Sequence, residues 1–301
     1  MNQAFINILL IIFLGYLLKR INILKEKDGA VISKIIFNIT LPALVIVTFN
    51  SVKIEPSLIW LPVIVIIFGL ISAFLTFFVF KKEEKELKGT LMMLAPGANV
   101  GLFAYPIVHA MWGTEGLTYF GMFDVGTTIV IWGIGYILGS YFSEEGLTLK
   151  PVAILKKLGN SIPLMTYIVA SILNYSHIQL PSTVIDVATT ISQANMPLSL
   201  LLLGLYLNFT FDKKYFKPIM KFLTFRYGLG LLFGLALYFF LPFDQMFRYT
   251  LLIGLLLPVG MSALVFGIEL RYSTTNLIAT IANITILISI VLLYVFAIFI
   301  L

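Results

Sequence analysis

Cysteine is absent from the 301 residues, which removes disulfides and thiolate metal sites from consideration. Histidine is nearly absent too: His109 and His177 are the two present, and they lie too far apart in sequence to form a metal motif. Charge is equally scarce. Only 11% of residues are charged while 60% are hydrophobic, against roughly 25% and 45–50% in soluble domains. With a mean hydropathy of +1.03, the composition is that of an integral membrane protein. The formal net charge of +6 does not point to nucleic acid, because the basic residues are spread over short connections instead of gathering on one face. No cofactor and no catalysis are expected. An intramembrane enzyme needs paired aspartates, a serine with a histidine, or metal ligands at membrane depth, and the sequence offers no such set.

What is present is apolar sequence in long runs. The start, "MNQAFINILLIIFLGYLLKR", has no basic n-region and no small-residue cleavage site, so it is expected to stay as a first helix. A bilayer-spanning helix needs about 20 mostly apolar residues. By that measure the chain divides into ten spans, at 3–19, 30–50, 57–80, 89–112, 117–141, 159–175, 183–208, 219–241, 248–270 and 275–301. Lysine and arginine are retained on the cytoplasmic side. They fill the first connection (Lys19, Arg20, Lys25, Lys27, Lys34), the third (Lys81, Lys82, Lys85, Lys88), the fifth (Lys150, Lys156, Lys157) and the seventh (Lys213, Lys214, Lys217, Lys221), whereas even-numbered connections hold Lys53 and Arg248. The alternation puts both termini outside and the run "KKEEKELK" in a cytoplasmic turn.

Proline marks equivalent places in the two halves. Span 2 contains "NITLP", with Asn38 and Thr40 four and two residues before Pro42; span 7 contains "QANMP", with Gln193 and Asn195 at the same offsets from Pro197. Pro96 interrupts span 4 and Pro258 interrupts span 9. An odd number of spans per half forces an internal duplication to insert in opposite orientations, which is the inverted-repeat plan of many secondary transporters. The expected organisation is therefore all-α: residues 1–141 as a first five-helix repeat, 142–158 as a cytoplasmic linker, and 159–301 as a second, inverted repeat.

The segment "APGANVGLFAYPIV" carries two prolines, two glycines and an asparagine within an apolar run. Proline costs ~3 kcal/mol in a helix interior, and Gly97 and Gly101 weaken the stretch by roughly 1 kcal/mol each relative to alanine. In lipid such a break is tolerated only where protein or a water-filled cavity covers it. One break would read as a kink. Two at equivalent places read as a substrate site, since half-helix N-termini offer N–H groups and partial positive charge to an anion.

The stretch "APGANVGLFAYPIVHAMWGTEGLTYFGMFDVGTTIVIWGIGYILG", with "SKIIFNITLPALV" and "SQANMPLSLLLLGLYL", resembles the auxin efflux carrier family, whose bacterial and archaeal members are often described as malate or malonate permeases. The likeness covers nearly the whole chain. It implies ten helices with outside termini, crossed and broken helices 4 and 9 around the substrate, a scaffold and homodimer side from spans 1, 2, 6 and 7, and a moving side from spans 3–5 and 8–10. It also implies outward transport. The chain departs from the family in lacking a long loop between spans 5 and 6. At the second break it reads "PVGMS", which puts Met261 where the first half has Asn99 and counts against auxin itself.

The candidate substrate-binding residues are Pro96, Gly97, Asn99 and Gly101 in the first break and Pro258 and Ser262 in the second, with Asn38, Gln193 and Asn195 from the scaffold side. Asn99 either bonds a substrate carboxylate or satisfies carbonyls freed by the break. Asp124 is the acidic residue well inside a span, where it costs ~2.5–3.5 kcal/mol on insertion scales. It either takes up a proton during transport or anchors Thr127, Asn99 or another polar neighbour. Asn38, Gln193, Asn195 and Asn283 either line the cavity or join helices. Arg226 is expected to snorkel to the headgroups as an anchor, with His109 and Glu269 at interfaces. The expected partners are a small organic anion and the bilayer of the cell membrane. The rival function is a cation-coupled carrier of the bile-acid or sodium/proton type, whose ion sites usually need clustered acidic residues.

Overall fold

A computed structural model describes residues 2–52, 54–144, 155–156, 158–208 and 212–300. Most of the expected linker at 142–158 lies outside the described residues, as do Lys53, Lys150 and Lys157 among the topology signals. Among the described residues the chain is helical, with no strand. The helices are α1 (Asn2–Arg20), α2 (Glu26–Ser51), α3 (Pro56–Val79), α4 (Lys85–Leu94), α5 (Val100–Phe142), α6 (Ile162–Tyr175), α7 (Ser182–Ser192), α8 (Asn195–Tyr206), α9 (Lys213–Phe240), α10 (Gln245–Gly254), α11 (Ser262–Glu269) and α12 (Thr275–Ile300). Five of them, α2, α3, α5, α9 and α12, are long and apolar enough to cross a membrane. Their outer faces carry exposed Phe74, Phe78, Leu232, Phe239, Phe240 and Val291, side chains that hydrocarbon accepts and water does not.

Local chemistry sets the ends and bends. Three helices close on a residue in the left-handed region, Asn22, His177 and Arg271. In each case the next amide reaches back five residues, as in Ile23 N to Leu18 O at 3.0 Å and Tyr272 N to Gly267 O at 2.8 Å, which is Schellman closure. Wide π-turns at Ile36–Thr40 and Val100–Ala104 precede Pro42 and Pro106. Proline lacks an N–H and crowds the carbonyl four residues back, and the extra residue in the turn relieves that clash. Gly113 bends α5 at φ 57° and ψ −141°, a conformation essentially reserved for glycine.

The helices pack in two groups. In the first, α1 lies along α8, and α2 is flanked by α6 and α7. The backbones of α1 and α8 touch at glycines: a Cβ on Gly204 would run into the carbonyl oxygen of Ile12, and one on Gly15 into that of Leu201. Small residues permit this approach where no hydrophobic force drives helices together in lipid. In the second group α3 packs on α5, α9 on α10, and α11 on α12, with the limb of α5 before Gly113 bridging to α2 and α8.

Candidate functional site

Two helix interruptions meet at the centre of the second group. After α4 the chain runs through Ala95, Pro96, Gly97, Ala98 and Asn99 before α5 begins; after α10 it runs from Leu255 to Met261 before α11. The interruptions touch: the backbone N–H of Asn99 donates to the carbonyl of Pro258 at 2.8 Å. A Cβ on Gly97 would meet Ile131 Cγ1 at 2.6 Å and one on Gly260 would meet Ile131 Cδ1 at 3.0 Å, so a single side chain seals both. Asn99 caps the second limb, its Oδ1 accepting from Leu102 N at 3.3 Å, as an N-cap asparagine does.

Arg226 corrects the expectation from sequence. It does not reach for headgroups but is buried at 7% exposure, with four carbonyls around its guanidinium. Nη1 donates to Leu94 O at 3.4 Å and Ala95 O at 2.7 Å; Nη2 donates to Gly97 O at 2.8 Å and Leu257 O at 2.9 Å. These are carbonyls that interrupted helices leave without intrahelical partners. Satisfying them is what makes the breaks tolerable in a dry setting.

Hydroxyls complete the support. Ser72 on α3 donates to Ala95 O at 3.3 Å, Ser289 on α12 to Leu256 O at 2.7 Å, and Thr285 accepts from Val259 N at 3.2 Å. Tyr227 lies between the α12 groups, 2.9 Å from both Thr285 O and Ser289 Oγ. None of these was singled out from sequence. The available signal was a pair of hydroxyls four residues apart in each of two apolar spans, Ser72 with Thr76 and Thr285 with Ser289.

Two donors at the crossing have no acceptor among the described residues: Asn99 Nδ2 and Arg226 Nε. Asn99 is 5% exposed, so its bare N–H₂ faces no bulk water. Ile131, Ser262 and Ala98, which meet around Gly260 in the second break, are half-buried. Gly101 lies two residues beyond Asn99, where a Cβ would meet Phe37 at 3.2 Å.

The remaining candidates lie apart. Asp124 is buried and accepts from Tyr105 OH at 2.9 Å and Tyr167 OH at 3.2 Å. Thr127 instead donates to Phe123 O, so of the polar neighbours expected for Asp124 it is two tyrosines, and not Thr127, that it holds. Asn195 Nδ2 donates to Thr40 Oγ1 at 3.1 Å, joining α8 to α2. Asn38 and Gln193 are exposed, and none of the hydrogen bonds at the crossing involves them. Asn283 donates to Asn208 O at 3.0 Å. That bond lies close to a polar cavity of about 470 Å³ lined by Asn208, Asp212, Ser273, Thr274 and Asn276. A larger cavity of about 670 Å³ lies between α2, α6 and α7, with Asn50, Asn174 and His177 in its wall. Among the described residues no group of three or more His, Asp or Glu side chains could hold a metal ion.

Residues 2–297 match the family model described as "Membrane transport protein". A protein of Methanothermobacter thermautotrophicus named as an uncharacterized transporter is 26% identical over 215 residues, which is 70% of this chain and 69% of that one. A second, from Methanocaldococcus jannaschii and also named as an uncharacterized transporter, is 28% identical over 211 residues, 67% of each.

Proposed function

Because the chain belongs to the membrane transport protein family, whose motifs it was seen to resemble, we propose that it is a secondary carrier that moves a small organic anion by alternating access around the α4/α5 and α10/α11 crossing. The observation that carries this is the unspent amide of Asn99, 5% exposed and two residues beyond a carbonyl held by the Arg226 guanidinium, whose charge meets carbonyls and no carboxylate among the described residues. A buried donor without a partner costs about 1–3 kcal/mol. Such a cost persists where a ligand removes it during the working cycle, and a carboxylate oxygen is the acceptor that would.

The same reading takes the chain as ten spans in two inverted repeats, 1–141 and 159–301, in the cell membrane with both termini outside. Its support is the pair of proline breaks and the alternating lysine bias. Asn38, Gln193 and Asn195 then belong to the scaffold, with Asn195 acting as an interhelical tie, and spans 1, 2, 6 and 7 offer the homodimer face. Asp124 is the proton-accepting candidate as the acidic residue well inside a span, and its hydrogen bonds from Tyr105 and Tyr167 would have to yield when it takes up a proton.

Purified protein in liposomes, screened over dicarboxylates and aromatic monocarboxylates with and without a pH gradient, tests the proposal. Saturable uptake of at least one anion is expected. A protein that moves sodium or protons but no organic anion would instead be the cation-coupled rival.

A further inference from the structure

A guanidinium has five N–H donors, and Arg226 spends four of them on carbonyls from two segments far apart in sequence. Leu94 and Ala95 end α4, and Gly97 continues the same break. Leu257 lies three residues past Gly254, the last residue of α10, in the turns that follow it through Leu255 N to Leu251 O and Leu256 N to Ile253 O. No acceptor of Arg226 belongs to α5 or α11. The residue therefore sits at two helix C-termini, each carrying about half a unit of negative charge, while the matching positive ends belong to α5 and α11. One guanidinium offsets the two negative ends. What is left over is close to one unit of positive charge, divided between the N-termini of α5 and α11, with the Asn99 amide at the first of them.

We propose that Arg226 is the positioning residue of this crossing. It brackets the ends of α4 and α10 into one body, and it cancels their negative dipole ends so that α5 and α11 can attract a single carboxylate at Asn99. The bracket stands on the geometry alone, while the carboxylate rests on the function proposed above. Arg226 is 2.8 Å from the Gly97 carbonyl and Asn99 is two residues beyond, a reach of at most about 7 Å, so with the Asn99 side chain and its own hydrogen bond the charge lies within roughly 15 Å of the anion. At an effective dielectric of about 20, a separation of roughly 10–15 Å is worth about six- to fifteenfold in affinity.

Two variants separate the bracket from the charge. Arg226→Lys keeps the charge but replaces a planar fork with a single ammonium, which cannot span four carbonyls. Arg226→Gln keeps a donor and loses the charge. Without ligand, hydrogen–deuterium exchange of the full-length protein is expected to accelerate at both 95–99 and 255–261 in each variant, about tenfold or more, with α1 and α8 unchanged. Acceleration at one segment only, or along the whole chain, overturns the bracket; if Arg226→Gln does not fold, Arg226→Lys alone decides. Binding is then measured with radiolabelled malonate and benzoate. Arg226→Lys should bind the accepted probe within about threefold of wild type while transporting it more slowly, and Arg226→Gln should lose about tenfold in affinity. Unchanged affinity in Arg226→Gln overturns the electrostatic role. If the wild type binds neither probe, the anion site fails with its electrostatic corollary, and the exchange result still decides the bracket.

Discussion

Asn99 and Pro258 are joined backbone to backbone, N–H to carbonyl at 2.8 Å, so each helix interruption supplies part of the other's hydrogen bonding. The side chain of Asn99 divides its work: the oxygen caps α5 and the nitrogen is free.

That division makes Asn99 testable by two substitutions. Asn99→Ala loses both the cap, at about 1 kcal/mol, and the free donor, worth about 1.5–3 kcal/mol or roughly 10–150-fold in affinity when it meets a charged group. Asn99→Asp retains a capping oxygen but presents negative charge to an anion. Both are expected to abolish uptake in liposomes, with Asn99→Asp melting closer to wild type. Wild-type uptake by a poorly folding Asn99→Ala would make the break a structural kink.

Pro96→Ala is expected to slow transport and raise the melting temperature. It removes a helix-breaking residue and lets the turn close over donors that the break exposes. Faster transport in a stabler protein would contradict this.

For Asp124, the isosteric Asp124→Asn still accepts from Tyr105 and Tyr167 but cannot exchange a proton. If the carboxyl carries the coupling proton, uptake by the variant should no longer respond to an imposed pH gradient. A variant that keeps the full pH response leaves Asp124 as an anchor for the two tyrosines.

The topology is open to cysteine labelling without background, since the chain has no cysteine of its own. Single cysteines near Glu115 and Ser176 should react with an impermeant reagent in intact cells, and those near Lys85 and Lys213 only after permeabilisation. The reverse pattern would invert the orientation and weaken the repeat.

Gly113→Ala tests backbone strain by itself, because a Cβ there meets nothing within 4 Å. The φ of 57° alone should cost roughly 1–3 kcal/mol. Gly228→Ala, equally open but helical, should stabilise by roughly 0.5–1 kcal/mol. Equal melting temperatures for the two variants would show that the bend relaxes without strain.

Apolar run length and proline position made the helices and their interruptions legible, because both act through the local backbone. Gly113 likewise falls between two of the expected spans. The partners at the crossing were not legible. What Arg226 binds are carbonyls, which every residue possesses and no letter records, so an arginine near a span end reads the same whether it turns outward or inward. The tyrosines around Asp124 come from residues 19 and 43 positions away, beyond any helical periodicity. Thr127 is nearer in sequence, yet it spends its hydroxyl on its own helix.

The glycine contact between α1 and α8 has a consequence in time. Ribosomes add about 5–20 residues per second, so the first helix enters the membrane roughly ten to forty seconds before its partner has been made. Throughout that interval the surface around Gly15 faces lipid or the insertion machinery. A helix that must lie backbone to backbone with something not yet synthesised is exposed to premature pairing with another copy. In Gly204→Leu such pairing would persist as misassembled chains, because the late-arriving α8 could no longer claim its place.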